Sequence, residues 1–209
     1  MEDKGLLLII SGFSGTGKGT VISRLLEKYN EKYALSVSAT TRKPREGEVD
    51  GRDYFFKTRD EFEEMIANEE LIEHACYVDN YYGTPKKYVE DRLDEGKNVI
   101  LEIEIQGALD VKRLFPESVL IFLFPPSVTE LERRLRERGT ETEEVISARM
   151  DRAAKEVESA YNYDYIVIND ELEACTETIH SLIRAEKLRV SRRTEDIKIM
   201  EKDLKGSLG

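Results

Sequence analysis

Four short apolar runs divide a chain that is otherwise rich in charged residues. They lie at residues 6–11, 99–107, 119–124 and 165–170. Their length and their continuous apolar character predict interior strands of a parallel sheet. The segments between them carry apolar residues at helical spacing, so strands and helices alternate and right-handed crossovers are expected. Ligands of such sheets bind beyond the carboxyl ends of the strands.

Capping residues and turn residues predict where the helices begin and end. The predicted helices are 18–29, a short one capped by Asp60, 85–95 before Gly96, two with capping boxes (Ser127 with Glu130, Thr140 with Glu143), and one marked by Leu172, Cys175, Ile179 and Leu182. Residues 35–58 are strand-and-turn material, and NYYGTP at 80–85 is predicted to be a turn. In the second apolar run, Glu102 and Glu104 are two residues apart, which places them on one face of the strand.

The composition suits one compact domain that binds small molecules. The chain has 209 residues, of which 40% are hydrophobic and 36% are charged, and this allows a buried core. Its net charge of −11 argues against nonspecific binding of nucleic acid or of a membrane surface, so any basic site is local. Two distant cysteines, Cys76 and Cys175, and a start without a basic secretory region predict reduced thiols in a cytoplasmic protein.

The stretch SGFSGTGKGT at residues 11–20 has the spacing of a phosphate-binding loop. Gly12 is followed by four residues and then by Gly17 and Lys18, between a buried strand and a helix. Backbone N–H groups at a helix start form an anion site, to which a lysine adds charge. The next residue is Gly19, whereas the usual loop has a hydroxyl residue that binds magnesium. Thr20 is a further 100° around the helix, so it does not simply replace that hydroxyl.

Five stretches in chain order carry a resemblance to one family. They are SGFSGTGKGT, SVSATTRKPREGEVDGRDYFF, NYYGTP, LEIEIQG and PPSVTELERRLRERGTETEE. Together they resemble the guanylate kinase family, whose members phosphorylate GMP from ATP, over about residues 5–187. The resemblance implies an α/β fold: a three-layer α/β/α P-loop core with a parallel sheet, an inserted GMP-binding lobe and a helical lid. The implied boundaries are 1–35, 97–126 and 163–190 for the core, 36–96 for the lobe and 127–162 for the lid, with a tail at 191–209 outside the match.

The same resemblance implies the site residues. ATP is expected at Gly12, Phe13, Ser14, Gly15, Thr16, Gly17, Lys18, Gly19, Thr20 and Asn169, the last of these near the adenine. GMP is expected at Ser38, Arg42, Arg45, Tyr54, Glu73, Tyr82, Thr84 and Glu104, with Glu73 accepting from the guanine N1 and N2 donors. The groups expected to act on the transferring phosphoryl are Lys18, Arg42, Arg134, Arg138 and Arg149. Glu102 and Glu104 are the hypothetical metal-orienting residues, mainly through water.

The expected reaction is transfer of the γ-phosphoryl group of ATP to GMP or dGMP, with Mg²⁺ as cofactor. The expected partners are these nucleotides alone, without nucleic acid or membrane, for a monomer or a weak homo-oligomer. Two alternatives stay open. One is a guanylate-kinase-like interaction module without efficient catalysis, although such modules typically lose parts of the phosphate loop, which is intact here. The other is a monophosphate kinase of different base specificity on the same architecture.

Overall fold

The structure, a computed structural model, describes residues 4–103, 105–137 and 142–207 as alternating strands and helices. The strands are β1 (Leu7–Gly12), β2 (Tyr33–Leu35), β3 (Ala39–Thr40), β4 (Phe55–Phe56), β5 (Leu71–Tyr77), β6 (Asn80–Pro85), β7 (Asn98–Leu101), β8 (Val119–Phe124) and β9 (Tyr165–Ile168). The helices are α1 (Lys18–Lys28), α2 (Arg59–Ala67), α3 (Lys86–Asp94), α4 (Ile105–Leu114), α5 (Val128–Glu137), α6 (Glu143–Glu156), α7 (Leu172–Glu186) and α8 (Thr194–Ser207). No described helix is long and apolar enough to cross a membrane.

The main sheet is parallel and has the strand order β2-β7-β1-β8-β9. Strand β1 lies at its centre, with Leu8 paired to Ile100 of β7 and to Val119 of β8. Alternate residues of β1 serve different cores: Leu8 and Ile10 pack in the core under α1 and α7, and Leu7 and Ile9 in the core beside α3 and α4. Because both faces are covered by helices, the strand is apolar from Leu7 to Ile10. The α/β class and the parallel core expected from the sequence are confirmed.

A second sheet of four strands has the order β4-β3-β6-β5. Strand β6 is antiparallel to both β3 and β5. The hairpin between β5 and β6 turns at Val78 and Asp79, which have φ values of 47° and 62°. This sheet is inserted between β2 and β7 along the chain, and its strand β5 packs against α4 of the main body.

Two predicted elements were wrong near the candidate site. The segment NYYGTP is strand β6 and not a turn, because both of its edges pair with neighbouring strands. The strand predicted over 99–107 ends at Leu101, and α4 begins at Ile105. Glu102 therefore follows the strand and does not lie within it, so the same-face argument for Glu102 and Glu104 fails. Glu104 itself lies outside the described residues.

The predicted helix caps were partly wrong. The short helix α2 is capped by Thr58 and not by Asp60: the Thr58 hydroxyl accepts from the Glu61 N–H, and the Glu61 carboxylate accepts from the Thr58 N–H. At α5 the Ser127 hydroxyl accepts from the Glu130 N–H at 3.1 Å, as predicted. The residue before α6 is Thr142, so Thr140 is not its cap, and Thr140 lies outside the described residues.

Candidate active site

The loop between β1 and α1 turns sharply into the helix. Gly15 and Gly17 have φ values of 95° and 82°, in the left-handed region that favours glycine. Gly17 is the residue that precedes α1, so the free N–H groups of the first turn point towards the loop. This geometry forms an anion site at a helix start. The sequence predicted that Gly12 and Phe13 to Gly19 belong to one ATP site. The structure places Gly12 at the end of β1 and the others in this loop or in the first turn of α1.

The loop is braced from the edge of the main sheet by Asn169. Its side-chain amide donates to the Thr16 carbonyl at 2.7 Å, and its backbone N–H donates to the Phe124 carbonyl at 2.8 Å. Thr16 is fully buried, and its hydroxyl donates to the Phe13 carbonyl at 2.9 Å. A Cβ on Gly17 would lie 2.8 Å from the Asn169 amide nitrogen, so a larger residue there would displace the brace. The Asn169 side chain thus contacts the loop itself.

A cavity of about 390 Å³ opens above the loop. Its lining includes Lys18 and Thr20 from α1 and Glu102 from the end of β7. The Lys18 ammonium lies 3.9 Å from a Glu102 carboxylate oxygen, and both side chains are partly exposed. The cavity therefore combines a helix start, a cation and a carboxylate, a set of groups that suits the phosphates of a nucleotide and a hydrated metal ion.

Two arginines of the α5–α6 region lie beside the loop. A terminal nitrogen of Arg149 donates to the Ser14 hydroxyl at 2.8 Å. Arg134 donates from Nε to Glu130 at 2.7 Å and from Nη1 to the Asn169 carbonyl at 3.0 Å. The neighbouring guanidinium groups of Arg133 and Arg134 lower the pKa of Glu130 to about 2. Arg138, the third arginine predicted for this group, lies outside the described residues.

The second sheet gathers a cluster of a cation and two phenols. The Arg42 guanidinium carbon lies 5.2 Å from the Tyr54 ring centroid, and the Tyr54 and Tyr82 rings are 6.2 Å apart. Arg42 follows β3, Tyr54 precedes β4 and Tyr82 lies in β6, so strand pairing brings them together. The Arg45 side chain is exposed at the rim and forms no ion pair within the described ranges.

A partly buried carboxylate, Glu73, lies at the other edge of this sheet. The Thr84 hydroxyl donates to Glu73 Oε1 at 2.7 Å. Burial raises the pKa of Glu73, and the hydrogen bond from Thr84 only partly offsets that rise. A Cβ added to Gly107 of α4 would lie 3.6 Å from Glu73 Oε2, in van der Waals contact, so a larger residue there would cover this side of the oxygen. Ser38 lies next to β3 in the same sheet, where its carbonyl accepts from the Phe55 N–H.

The sequence reasoning missed three charged residues of these sites. Arg152 and Glu156 of α6 line the cavity, and the Arg152 Nε donates to Glu156 at 2.5 Å. Arg152 and Glu156 follow Arg149 by three and seven residues, so these three side chains share one face of the helix. That spacing is visible in the sequence and could have indicated both residues. Glu48, which pairs with Arg42, lies in an irregular loop where spacing carries no such signal.

The strand, loop and helix at the phosphate cavity, set in a parallel sheet between helices, define a P-loop nucleotide-binding protein. The family model described as Guanylate kinase matches residues 4–186, and the chain belongs to this family. It is 55% identical over 194 residues to the guanylate kinase of Halalkalibacterium halodurans, covering 93% of this chain and 95% of that protein. Identity to the guanylate kinase of Lactococcus lactis is 52% over 205 residues, or 98% and 100% of the two chains.

A solved structure agrees with this assignment. The crystal structure of guanylate kinase from Anaplasma phagocytophilum superposes with a TM-score of 0.69 at 35% identity, covering 92% of this chain and 91% of that chain. The family resemblance read from the motifs is therefore confirmed, and the chain is a kinase.

Proposed function

We propose that the chain transfers the γ-phosphoryl group of ATP to GMP, and also to dGMP, giving ADP and the corresponding diphosphate. Family membership supports the reaction. The single structural observation that carries the choice of base is the partly buried Glu73 carboxylate held by Thr84, with a glycine, Gly107, beside its second oxygen. A carboxylate accepts from two adjacent donors at once, and guanine presents such a pair at N1 and N2. Adenine lacks that pair, so the buried acceptor would be left unpaired.

The Arg42 cluster supports the binding of the GMP phosphate at the same sheet. A guanidinium and two phenolic hydroxyls supply donors of the type that a phosphate requires. We assign Arg42, Arg45, Tyr54 and Tyr82 to the phosphate, and Glu73, Thr84 and Ser38 to the base. Glu104 keeps its place in this proposal from the sequence resemblance alone.

The chemistry needs no general base on the protein. The attacking oxygen belongs to a phosphate whose second pKa is about 6, so it is largely anionic at neutral pH. Catalysis is then positioning together with neutralisation of negative charge that spreads during transfer. Lys18 acts on the donor phosphates from the first turn of α1, and Arg134 and Arg149 act from the helices beside the loop. Arg138 belongs to the same set by resemblance.

The residues of the cavity suit a hydrated magnesium ion bound together with ATP. The Ser11 hydroxyl is buried in the cavity wall beside the Tyr163 hydroxyl. Glu102 presents a carboxylate to the same space, and Thr20 lines it. Because Mg²⁺ keeps several waters, Glu102 would hold it mainly through water, with Glu104 as the second candidate. The ion would supply neutralisation of the phosphate charge, while Lys18 and the arginines orient the donor.

The chain divides by function into the core, a GMP-binding lobe at 36–96 and a lid at 127–162. The second sheet supports the first assignment, and the contact of Arg149 with Ser14 supports the second, because it links α6 to the phosphate loop. Closure of these parts over both nucleotides would keep water from taking the phosphoryl group. The two cysteines are free thiols, which suits the reducing cytoplasm where these nucleotides are used.

Isothermal titration with GMP tests the acceptor site. Wild-type protein should bind GMP, and Arg42→Lys should weaken binding because a lysine cannot present a planar fork to phosphate. Arg59→Lys is the matched control, since Arg59 is an exposed arginine of the same region paired to Glu63. Equal GMP affinity for the Arg42 and Arg59 variants would remove Arg42 from the phosphate site.

A further inference from the structure

One carboxylate outside the predicted site organises the arginine loop that precedes β4. Glu48 accepts from Arg42 Nη2 at 2.7 Å and from Arg42 Nη1 at 3.0 Å, in a two-point pair. Both side chains are partly buried, with 15% of Arg42 and 20% of Glu48 exposed. Two-point pairs of this type fix the plane of the guanidinium as well as its position. The hydrogen bonds from the Arg42 guanidinium, and after them the one from the Arg45 N–H, lower the pKa of Glu48.

The same contacts leave a defined part of Arg42 available to a ligand. A guanidinium has five N–H donors. Besides the two that Glu48 takes, one Nη1 hydrogen goes to the Lys43 carbonyl at 2.8 Å. Among the described residues, the Nε hydrogen and one Nη2 hydrogen have no partner, and they lie side by side on the other edge of the plane. That edge is a second fork of the kind that binds phosphate.

Glu48 also holds the backbone of this loop. Its Oε2 accepts from the Arg45 N–H at 2.7 Å, in addition to its contact with Arg42. One carboxylate therefore sets both the side chain of the first arginine and the main chain of the second. The Arg42 plane is further confined by the Tyr54 ring at 5.2 Å and the Phe56 ring at 5.9 Å.

We propose that Glu48 is a positioning residue for the GMP phosphate: it turns the free edge of Arg42 towards the acceptor phosphate and fixes the loop that carries Arg45. This rests on the proposed function, because it takes the ligand of the Arg42 cluster to be the phosphate of GMP. Glu48 acts through Arg42 and does not touch the nucleotide. In the opposite case, the Glu48 carboxylate would occupy the position of the phosphate and would have to leave before GMP binds. Removal of Glu48 would then make GMP binding tighter.

The test compares GMP with guanosine, which has the same base and sugar but no phosphate. Titration calorimetry of Glu48→Gln should show GMP affinity lowered roughly tenfold to a hundredfold, the usual effect of losing hydrogen bonds to a charged group. Guanosine affinity should stay unchanged, and this also shows that the variant is folded. In steady-state assays the KM for GMP should rise while the KM for ATP stays unchanged.

Asp53→Asn is the matched control. Asp53 lies in the same loop region and pairs with Arg52, and it accepts from the Val49 N–H at 2.8 Å. This variant should keep wild-type GMP affinity. The proposal is overturned if Glu48→Gln binds GMP as well as or better than wild type, if its guanosine affinity falls in parallel, or if Asp53→Asn loses as much GMP affinity. Failure of the wild type itself to bind GMP would instead remove the proposed function.

Discussion

Thr84 holds Glu73 by a hydrogen bond of 2.7 Å from its hydroxyl to the carboxylate. The two residues lie on adjacent antiparallel strands, β6 and β5, and Thr84 is fully buried. One carboxylate oxygen thus accepts one hydrogen bond from the protein and keeps a second lone pair, and the other oxygen lies beside Gly107. Because burial raises the pKa of Glu73, the ionised form is costly in the empty site and is favoured by a ligand that donates two hydrogen bonds.

Replacing Glu73 by Gln should remove most of the preference for guanine. The Gln amide would turn a donor towards the donors of the base, and a mispaired buried site of this kind costs on the order of a hundredfold or more in kcat/KM. The measurement is kcat/KM for GMP and for IMP, which lacks the N2 amino group. We expect the ratio between them to shrink in Glu73→Gln. Glu64→Gln, an exposed glutamate of α2, is the control and should keep the wild-type ratio.

Asn169 should matter for the phosphate loop through its brace on the Thr16 carbonyl. Asn169→Ala leaves this buried carbonyl without its donor, which costs about 1–3 kcal/mol of unfolding free energy. The KM for ATP should rise as well, because the loop that binds the phosphates loses its support. Urea unfolding and steady-state kinetics measure the two effects. The exposed Asn162→Ala is the control, and equal losses in both variants would contradict the role of the brace.

The fold was predictable where local pattern decides it, as in the strand, loop and helix around Lys18. Strand β6 was not, because the composition of NYYGTP favours a turn and its strand state comes from pairing with β3 and β5. Helix α4 was missed because its first residues continue the apolar run of β7, and only the structure shows the break after Leu101. In such places tertiary contacts override local preference.

The candidate site was predictable as a set of residues but not as an arrangement. The Gly-rich loop and Lys18 follow from motif and context. The Arg42, Glu73 and Asn169 assignments came from resemblance. The described contacts of Asn169 are to the loop, to β8 and to Arg134, and its place near the adenine stays a prediction. The pairing of Arg42 with Glu48 depends on an irregular loop conformation, which periodicity does not encode.

The hairpin between β5 and β6 should be stabilised by Val78→Asn. Val78 has a φ of 47°, and a β-branched residue in the left-handed region costs about 1–2 kcal/mol. Asparagine tolerates this region better, so we expect a gain of about 1 kcal/mol in unfolding free energy. Chemical unfolding measures it. Val190→Asn is the control, an exposed valine without positive φ, and an equal gain there would show that Val78 is not strained.

His180 should make the free energy of unfolding depend on pH. It is buried, joined to the Tyr33 hydroxyl by a hydrogen bond of 2.9 Å at Nδ1 and stacked on Tyr29 at 3.8 Å. Burial lowers the pKa of His180, so below the unfolded-state value of about 6.5 the unfolded chain binds the proton more readily. Stability is therefore lost as pH falls through the unfolded pKa towards the folded one.

Urea unfolding between about pH 8 and about pH 5.5, a window that spans the unfolded pKa, measures this effect. Part of the acid-induced loss should disappear in His180→Gln and persist in His74→Gln, the exposed control. If both variants follow the wild-type pH profile, burial of His180 carries no pH dependence.

We propose that one site joins a phosphate loop for ATP to a guanine-selective acceptor sheet. A coupled assay of ADP formation, with ATP and Mg²⁺ and each of GMP, AMP, UMP and CMP in turn, tests it most directly. We predict turnover with GMP that exceeds the others by orders of magnitude. Preferred turnover of AMP, or no turnover with any monophosphate, would contradict the account.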